Sequence, residues 1–268
     1  MTRDLRLSCQ EQLLPGDTLE RKWEAAQRLG FQAIELRGRG DGGFAARLPD
    51  LQRAAADGVP MPTVCVEMTH FIGDFDGDRR RDAQAQLRSQ LSTIAAIGGR
   101  LVMTPASYGM FSRRLPPFEP PRSEQEDHAV LLESLGSLAA HAEAEGVAIA
   151  LEPLNRYEDH MVNTLTQAVA LCADVGSSAL GVVADSYHMN IEEADLAEAL
   201  FAAADHLIHV QVSDSNRLEP GAGHLDWTVL LATLEEIGFV HELAYECRLS
   251  GPADDVLGPS TAFLRRTP

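Results

Sequence analysis

Four oxygen-bearing side chains close, or lie within, short apolar runs. Glu152 closes VAIALE, Asp185 closes LGVVAD, Gln211 sits in LIHVQVSD, and Glu246 follows ELAY. An unpaired carboxylate on an apolar strand is costly to bury, so three of them call for a compensating cation. A divalent ion held by oxygen ligands supplies one directly. Any single acid of the set serves equally well as an ion-pair partner; three at a recurring spacing point to a shared metal site. Gln211 can offer its amide oxygen without adding charge, and an all-oxygen set favours a hard ion such as Mg²⁺ or Mn²⁺. The other use of Gln211 is a buried amide hydrogen-bonded to its neighbours.

The elements that must position these groups follow from the spacing. Successive members lie 33, 26 and 35 positions apart, each about one strand–helix unit of an eightfold barrel of ~250 residues. They converge only if the strands are parallel and close into a ring. In LIHVQVSD the two-residue period puts His209, Gln211 and Ser213 on one face and the valines on the other, so His209 and Gln211 look into the barrel.

Upstream, strands are expected at Leu5–Cys9, Phe31–Leu36 (with Glu35 near its end), Thr63–Val66 and Leu101–Thr104. Helices are expected at 45–57, from the Asp-rich DFDGDRRRDAQ to Ile97, at 124–145, and near 166–175, 192–203, 226–237 and 254–265. Trp23 shares an apolar stripe with Leu19, Ala26 and Leu29 and reads as core. The long loop PASYGMFSRRLPPFEPPRSEQED reads as a lid or an oligomer contact, and its Arg113, Arg114 and Arg122 as a solvated basic stretch in preference to a contact for a phosphate or carboxylate. No linker or composition shift interrupts the chain, so one α/β barrel domain over 1–268 is expected.

The 22 basic and 40 acidic residues give a net charge of −18, which disfavours nucleic acid and anionic membranes as partners. Cys9, Cys65, Cys172 and Cys247 are scattered singly, with no CxxC pair, and read as reduced thiols. The opening MTRDLRLSCQEQ has no long apolar core, and a cytoplasmic location is expected.

Polar groups lie just beyond the strands expected to carry the acids and Gln211: Glu158 in LEPLNRYE, His188 in DSYHMN and Arg217 in QVSDSNR. That placement points to substrate contact. The segments LEPLNRYE, DSYHMNIEE, HVQVSDSNRLEPGAGHLDW and the terminal YE closely resemble the xylose-isomerase-like TIM barrels. Within them the chain is most similar to sugar epimerases and isomerases, including the ketose 3-epimerases (tagatose and psicose 3-epimerases) and hydroxypyruvate isomerase. The resemblance implies a (β/α)8 TIM barrel with Glu152, Asp185, Gln211 and Glu246 as metal ligands. It implies Glu152 and Glu246 as the acid/base pair, and Glu158, His188 and Arg217 as substrate contacts. It also implies a homodimer or homotetramer. One departure stands out: the 3-epimerases carry HxH where this chain reads His209-Val210-Gln211, whereas hydroxypyruvate isomerase carries Gln at the metal position.

The implied reaction is proton transfer beside a carbonyl through an enediolate, as an epimerase or an aldose–ketose isomerase acting on a small keto-sugar. The same residues also suit a dehydratase or lyase acting on a keto-sugar or 3-keto-glycoside, and a non-catalytic sugar-binding barrel.

Overall fold

Eight short, β-rich runs pair in parallel with their sequence neighbours, and the last closes onto the first. The computed structural model describes residues 3–111 and 119–268; Arg113 and Arg114 lie outside them. The strands are β1 (Leu7–Gln10), β2 (Ala33–Arg39), β3 (Thr63–Glu67), β4 (Leu101–Pro105), β5 (Ala148–Glu152), β6 (Leu180–Asp185), β7 (Leu207–Val212) and β8 (Leu243–Tyr245). Between and after them run α1 (Leu19–Leu29), α2 (Gly43–Ala46), α3 (Leu48–Ala56), α4 (Gly77–Ala95), α5 (Glu124–Glu145), α6 (Leu165–Val175), α7 (Ser186–Glu192), α8 (Leu196–Ala203), α9 (Trp227–Glu236) and α10 (Ala253–Arg266). The result is a closed (β/α)8 barrel. Parallel strands covered by helices on the outside are buried on both faces, which is why β4, β5, β6 and β8 read as largely apolar runs.

Local chemistry sets the helix ends. Thr18 caps α1 and Asp76 caps α4 with side-chain oxygens, and capping boxes open α5 (Ser123, Glu126) and α6 (Thr164, Gln167). Asp226 caps α9, as its position suggests. The helix expected over 45–57 is two helices, α2 and α3, with Pro49 in the first turn of α3. The helix expected near 192–203 is also two, because α7 starts directly from Asp185, whose side chain accepts from Tyr187 N–H at 2.8 Å. The first strand begins two residues later than its apolar run suggests, at Leu7.

Two cores result. A large one, containing Ile34, Leu87, Leu135, Leu151 and Val212, lies between sheet and helices, with Trp23 packed against it. A small one inside the barrel holds Cys65, Leu101, Met103, Ala150 and Val183. The cysteines are free, and Cys9, Cys65 and Cys172 are buried. Arg122 is no solvated cation. It pairs with Asp127 at 2.7 Å, donates to the carbonyls of Gly73 and Asp74, and lies over the Phe75 ring. Among the described residues no helix is long and apolar enough to cross a membrane.

Candidate active site

The C-terminal ends of β5 to β8 deliver the acidic set to one end of the barrel. Asp185 and Gln211 are register partners on β6 and β7, so their side chains project side by side into the interior. Glu152 ends β5, and Glu246 lies one residue past β8. A cavity of about 560 Å³ opens above, and Glu152, Glu158, His188, Arg217 and Glu246 all line it. Asp185 and Gln211 do not reach its wall; they are buried at 1% and 0% exposure.

Among the described residues one guanidinium pairs with this acidic cluster. Arg217 reaches Asp185 Oδ2 with Nη1 at 2.5 Å and Glu246 Oε2 with Nη2 at 3.0 Å. Its backbone is held in the left-handed region at φ 62°, an uncommon conformation for a residue with a side chain. Its N–H bonds the Asp214 carbonyl and its own carbonyl takes the Arg248 N–H, which fixes it there. Strain maintained by surrounding bonds is typical of residues that must aim a functional group.

The remaining charge is unbalanced. Burial, with the charges of Glu246 and Asp185 beside it, pushes the Glu152 carboxyl well above its usual range. Burial also raises Glu246, against the pull of Arg217. Three acids against one arginine leave room for a further cation. Among the described residues Gln211 Oε1 is buried with no hydrogen-bond partner, a lone pair that a donor or a metal must satisfy. The residues therefore fit a divalent ion with oxygen ligands.

His188 belongs to the same cluster: one atom each from Glu152, Asp185 and His188 lie within 4.8 Å of one another. Its hydrogen bonds assign it a different role. The Asn155 amide oxygen accepts from Tyr157 N–H at 3.0 Å, so the amide nitrogen must be the group 2.8 Å from His188 Nδ1. The Asn155 backbone N–H also donates to Nδ1, at 3.0 Å. With two donors aimed at it, Nδ1 carries no proton, and the neutral ring is protonated at Nε2. Burial and the charge of Arg217 hold the imidazole neutral, pulling it down to about 4. Nε2–H faces Glu152 Oε1 at 3.8 Å and Asp185 Oδ2 at 4.0 Å. In this tautomer the ring offers a hydrogen-bond donor at Nε2 rather than a lone pair. His188 sits on α7, not on the loop its neighbourhood suggests.

Sequence reasoning passed over two residues. Asn155 sets the tautomer of His188, and its signal in the sequence is its place just beyond β5. Glu35 on β2 crosses the barrel interior to β7, where it meets His209 Nε2 at 2.8 Å and Gln211 Nε2 at 3.0 Å. Its inward position follows from strand alternation, but nothing in the sequence says what it meets.

The family profile of xylose isomerase-like TIM barrels matches residues 23–267. The chain is 34% identical to the 3-dehydro-D-guloside 4-epimerase of Escherichia coli K12 over 91% of its length and 93% of that protein's. It is 29% identical to the L-ribulose 3-epimerase of Mesorhizobium japonicum, covering 92% and 81% of the two chains. Among solved structures, a 3-keto-D-glucoside 4-epimerase from E. coli superposes with a TM-score of 0.92 at 34% identity, covering 98% of this chain and 99% of that one. The closed barrel, the arrangement of its strand-end residues and these likenesses agree: the chain belongs to the xylose isomerase-like TIM barrel family.

Proposed function

We propose that the chain is a divalent-metal-dependent sugar epimerase that inverts a hydroxyl-bearing carbon beside a ketone. The observation that carries this reading is the opening of Glu152 and Glu246, from β5 and β8, onto one cavity with His188 and Arg217. Epimerisation needs a base to take the proton from one face of the carbon and an acid to return it to the other. Two carboxyls raised above their usual range suit groups that must hold a proton at one stage and release it at another. His188 Nε2–H and the Arg217 guanidinium donate to substrate oxygens where charge develops. Glu158 accepts from a sugar hydroxyl. Glu152, Asp185, Gln211 and Glu246 would hold the ion, either Mg²⁺ or Mn²⁺. The chemistry a bound ion supplies is polarisation of the substrate carbonyl and of the neighbouring hydroxyl.

The likeness to a 4-epimerase of 3-keto-glucosides, and a cavity of about 560 Å³ with room for a ring and its aglycone, favour a 3-keto-glycoside over a free ketose. Assembly as a homodimer or homotetramer is part of this reading, and light scattering measures it.

The test is solvent exchange in D₂O with Mn²⁺, followed by NMR on a 3-keto-glucoside, with D-fructose and hydroxypyruvate in parallel. Deuterium at C4 of the keto-glucoside with an inverted product is expected, and Glu246→Gln is expected to reduce it by 10²–10⁴-fold while circular dichroism stays unchanged. Exchange at C3 of fructose alone would make the enzyme a ketose 3-epimerase. Release of the glycosidic substituent would make it a lyase, and binding with no exchange a sugar-binding protein.

A further inference from the structure

Resting on the metal reading above, we infer that Glu35 is the positioning residue that turns Gln211 into a metal ligand. Its carboxylate fixes which end of the Gln211 amide faces the acids at the barrel mouth.

Glu35 is fully buried, and four donors fill its two oxygens. Gln10 Nε2 and Gln211 Nε2 both reach Oε1 at 3.0 Å, while Thr63 Oγ1 and His209 Nε2 both reach Oε2 at 2.8 Å. Gln10, Glu35 and Thr63 are consecutive register partners on β1, β2 and β3. His209 and Gln211 approach from β7, on the other side of the interior. A carboxylate saturated by donors is an acceptor only. If the Gln211 amide were reversed, its oxygen would face a carboxylate oxygen with no proton between them. The amide nitrogen is thus pinned to Glu35 and the amide oxygen is turned the other way. That oxygen is buried and has no hydrogen-bond partner among the described residues, on the residue in register with Asp185. Partners that orient a ligand by binding its other end commonly shift metal affinity by 10–100-fold. The same carboxylate could hold an imidazole at position 211 by one ring N–H and leave the other nitrogen free. One anchor therefore serves either side chain at this strand position.

The experiment is Mn²⁺ titration of EDTA-stripped full-length protein without substrate, read by electron paramagnetic resonance, on wild type, Glu35→Gln, Gln211→Leu and the double variant. Wild type is expected to bind Mn²⁺ and Glu35→Gln to bind it about 10–100-fold more weakly. The double variant is expected to be no weaker than Gln211→Leu, because the anchor has nothing left to orient. Unchanged affinity in a folded Glu35→Gln protein overturns the inference and leaves the metal site standing, as do additive losses in the double variant. Failure of wild type to bind overturns both readings.

Should Glu35→Gln not fold, Gln211→His in the intact background still decides. It is expected to hold Mn²⁺ and to show a directly bound nitrogen by electron spin-echo modulation. Absence of that coupling would show that position 211 does not face the ion.

Discussion

Asn155 is 1% exposed, and both ends of its amide are committed, one to Tyr157 N–H and the other to His188 Nδ1. The tautomer of His188 follows from the side-chain amide and backbone N–H of Asn155, which both donate to Nδ1, not from the histidine's own sequence context. Asn155→Asp replaces the N–H donor with an acceptor of almost equal size. The carboxylate favours a proton on Nδ1, against the Asn155 backbone N–H that still points there, and a ring protonated at Nδ1 leaves Nε2 as an acceptor facing Glu152 and Asp185. Losing one donor to a charged oxygen costs about 1.5–3 kcal/mol, so kcat/KM is expected to fall about 10–100-fold with the fold retained. Histidine ¹⁵N shifts would report the change of tautomer directly. Unchanged shifts with full activity would show that Asn155 has no hold on the ring.

At the scale of elements, the segment after β7 is organised by Asp214, which is fully buried. Its carboxylate accepts from Ser215 N and Gly221 N at 2.8 Å, Leu225 N at 3.1 Å and Trp227 Nε1 at 3.0 Å. It thereby ties the loop carrying Arg217 to the start of α9. Gly223 has to be glycine here, because a Cβ at that position would lie 2.2 Å from Asp214 Oδ1. Burial alone would raise the Asp214 carboxyl, but its four hydrogen bonds outweigh that and hold it below the usual range. A depressed folded-state value means its contribution to stability is present above the unfolded carboxylate range and is lost as pH falls through the folded value.

Asp214→Asn leaves one acceptor oxygen and turns an NH₂ toward donors. A loss of about 3 kcal/mol is expected, and thermal melts of the variant should depend less on pH on the acid side than those of wild type. A variant that melts with wild type at neutral pH would remove the tie. This loop also shows how far the sequence could be read. Strand ends, helix caps and inward alternation are local and were visible, so Glu152, Asp185, Gln211 and Glu246 could be placed on their strands. The partners of Glu35, up to 176 positions away, and the bridge from Arg217 to Asp185 and Glu246 depend on the strands closing into a barrel, and those of Asp214, though within 13 positions, depend on the path of an irregular loop. No short-range pattern records those contacts.

For the whole molecule the governing quantities are a net charge of −18 and a buried cluster with more acids than bases. Two cation effects follow, and they are separable. Added salt screens the surface repulsion, with a Debye length of about 10 Å at 0.1 M, and any salt does this equally at matched ionic strength. A divalent ion that binds the folded barrel stabilises it further by mass action, by about 2.7 kcal/mol at a hundred times its dissociation constant. For a chain of this size each kcal/mol raises the melting temperature by about 2–4 °C, so a rise of about 5–10 °C is expected with MnCl₂ over NaCl at equal ionic strength. EDTA is expected to reverse it. Asp185→Asn is expected to abolish the excess, since it removes an anion from the cluster and weakens the hold on Arg217. Equal melting in both salts would mean that only surface screening is at work, and the acids at the barrel mouth would have to be balanced by Arg217 and by protons alone.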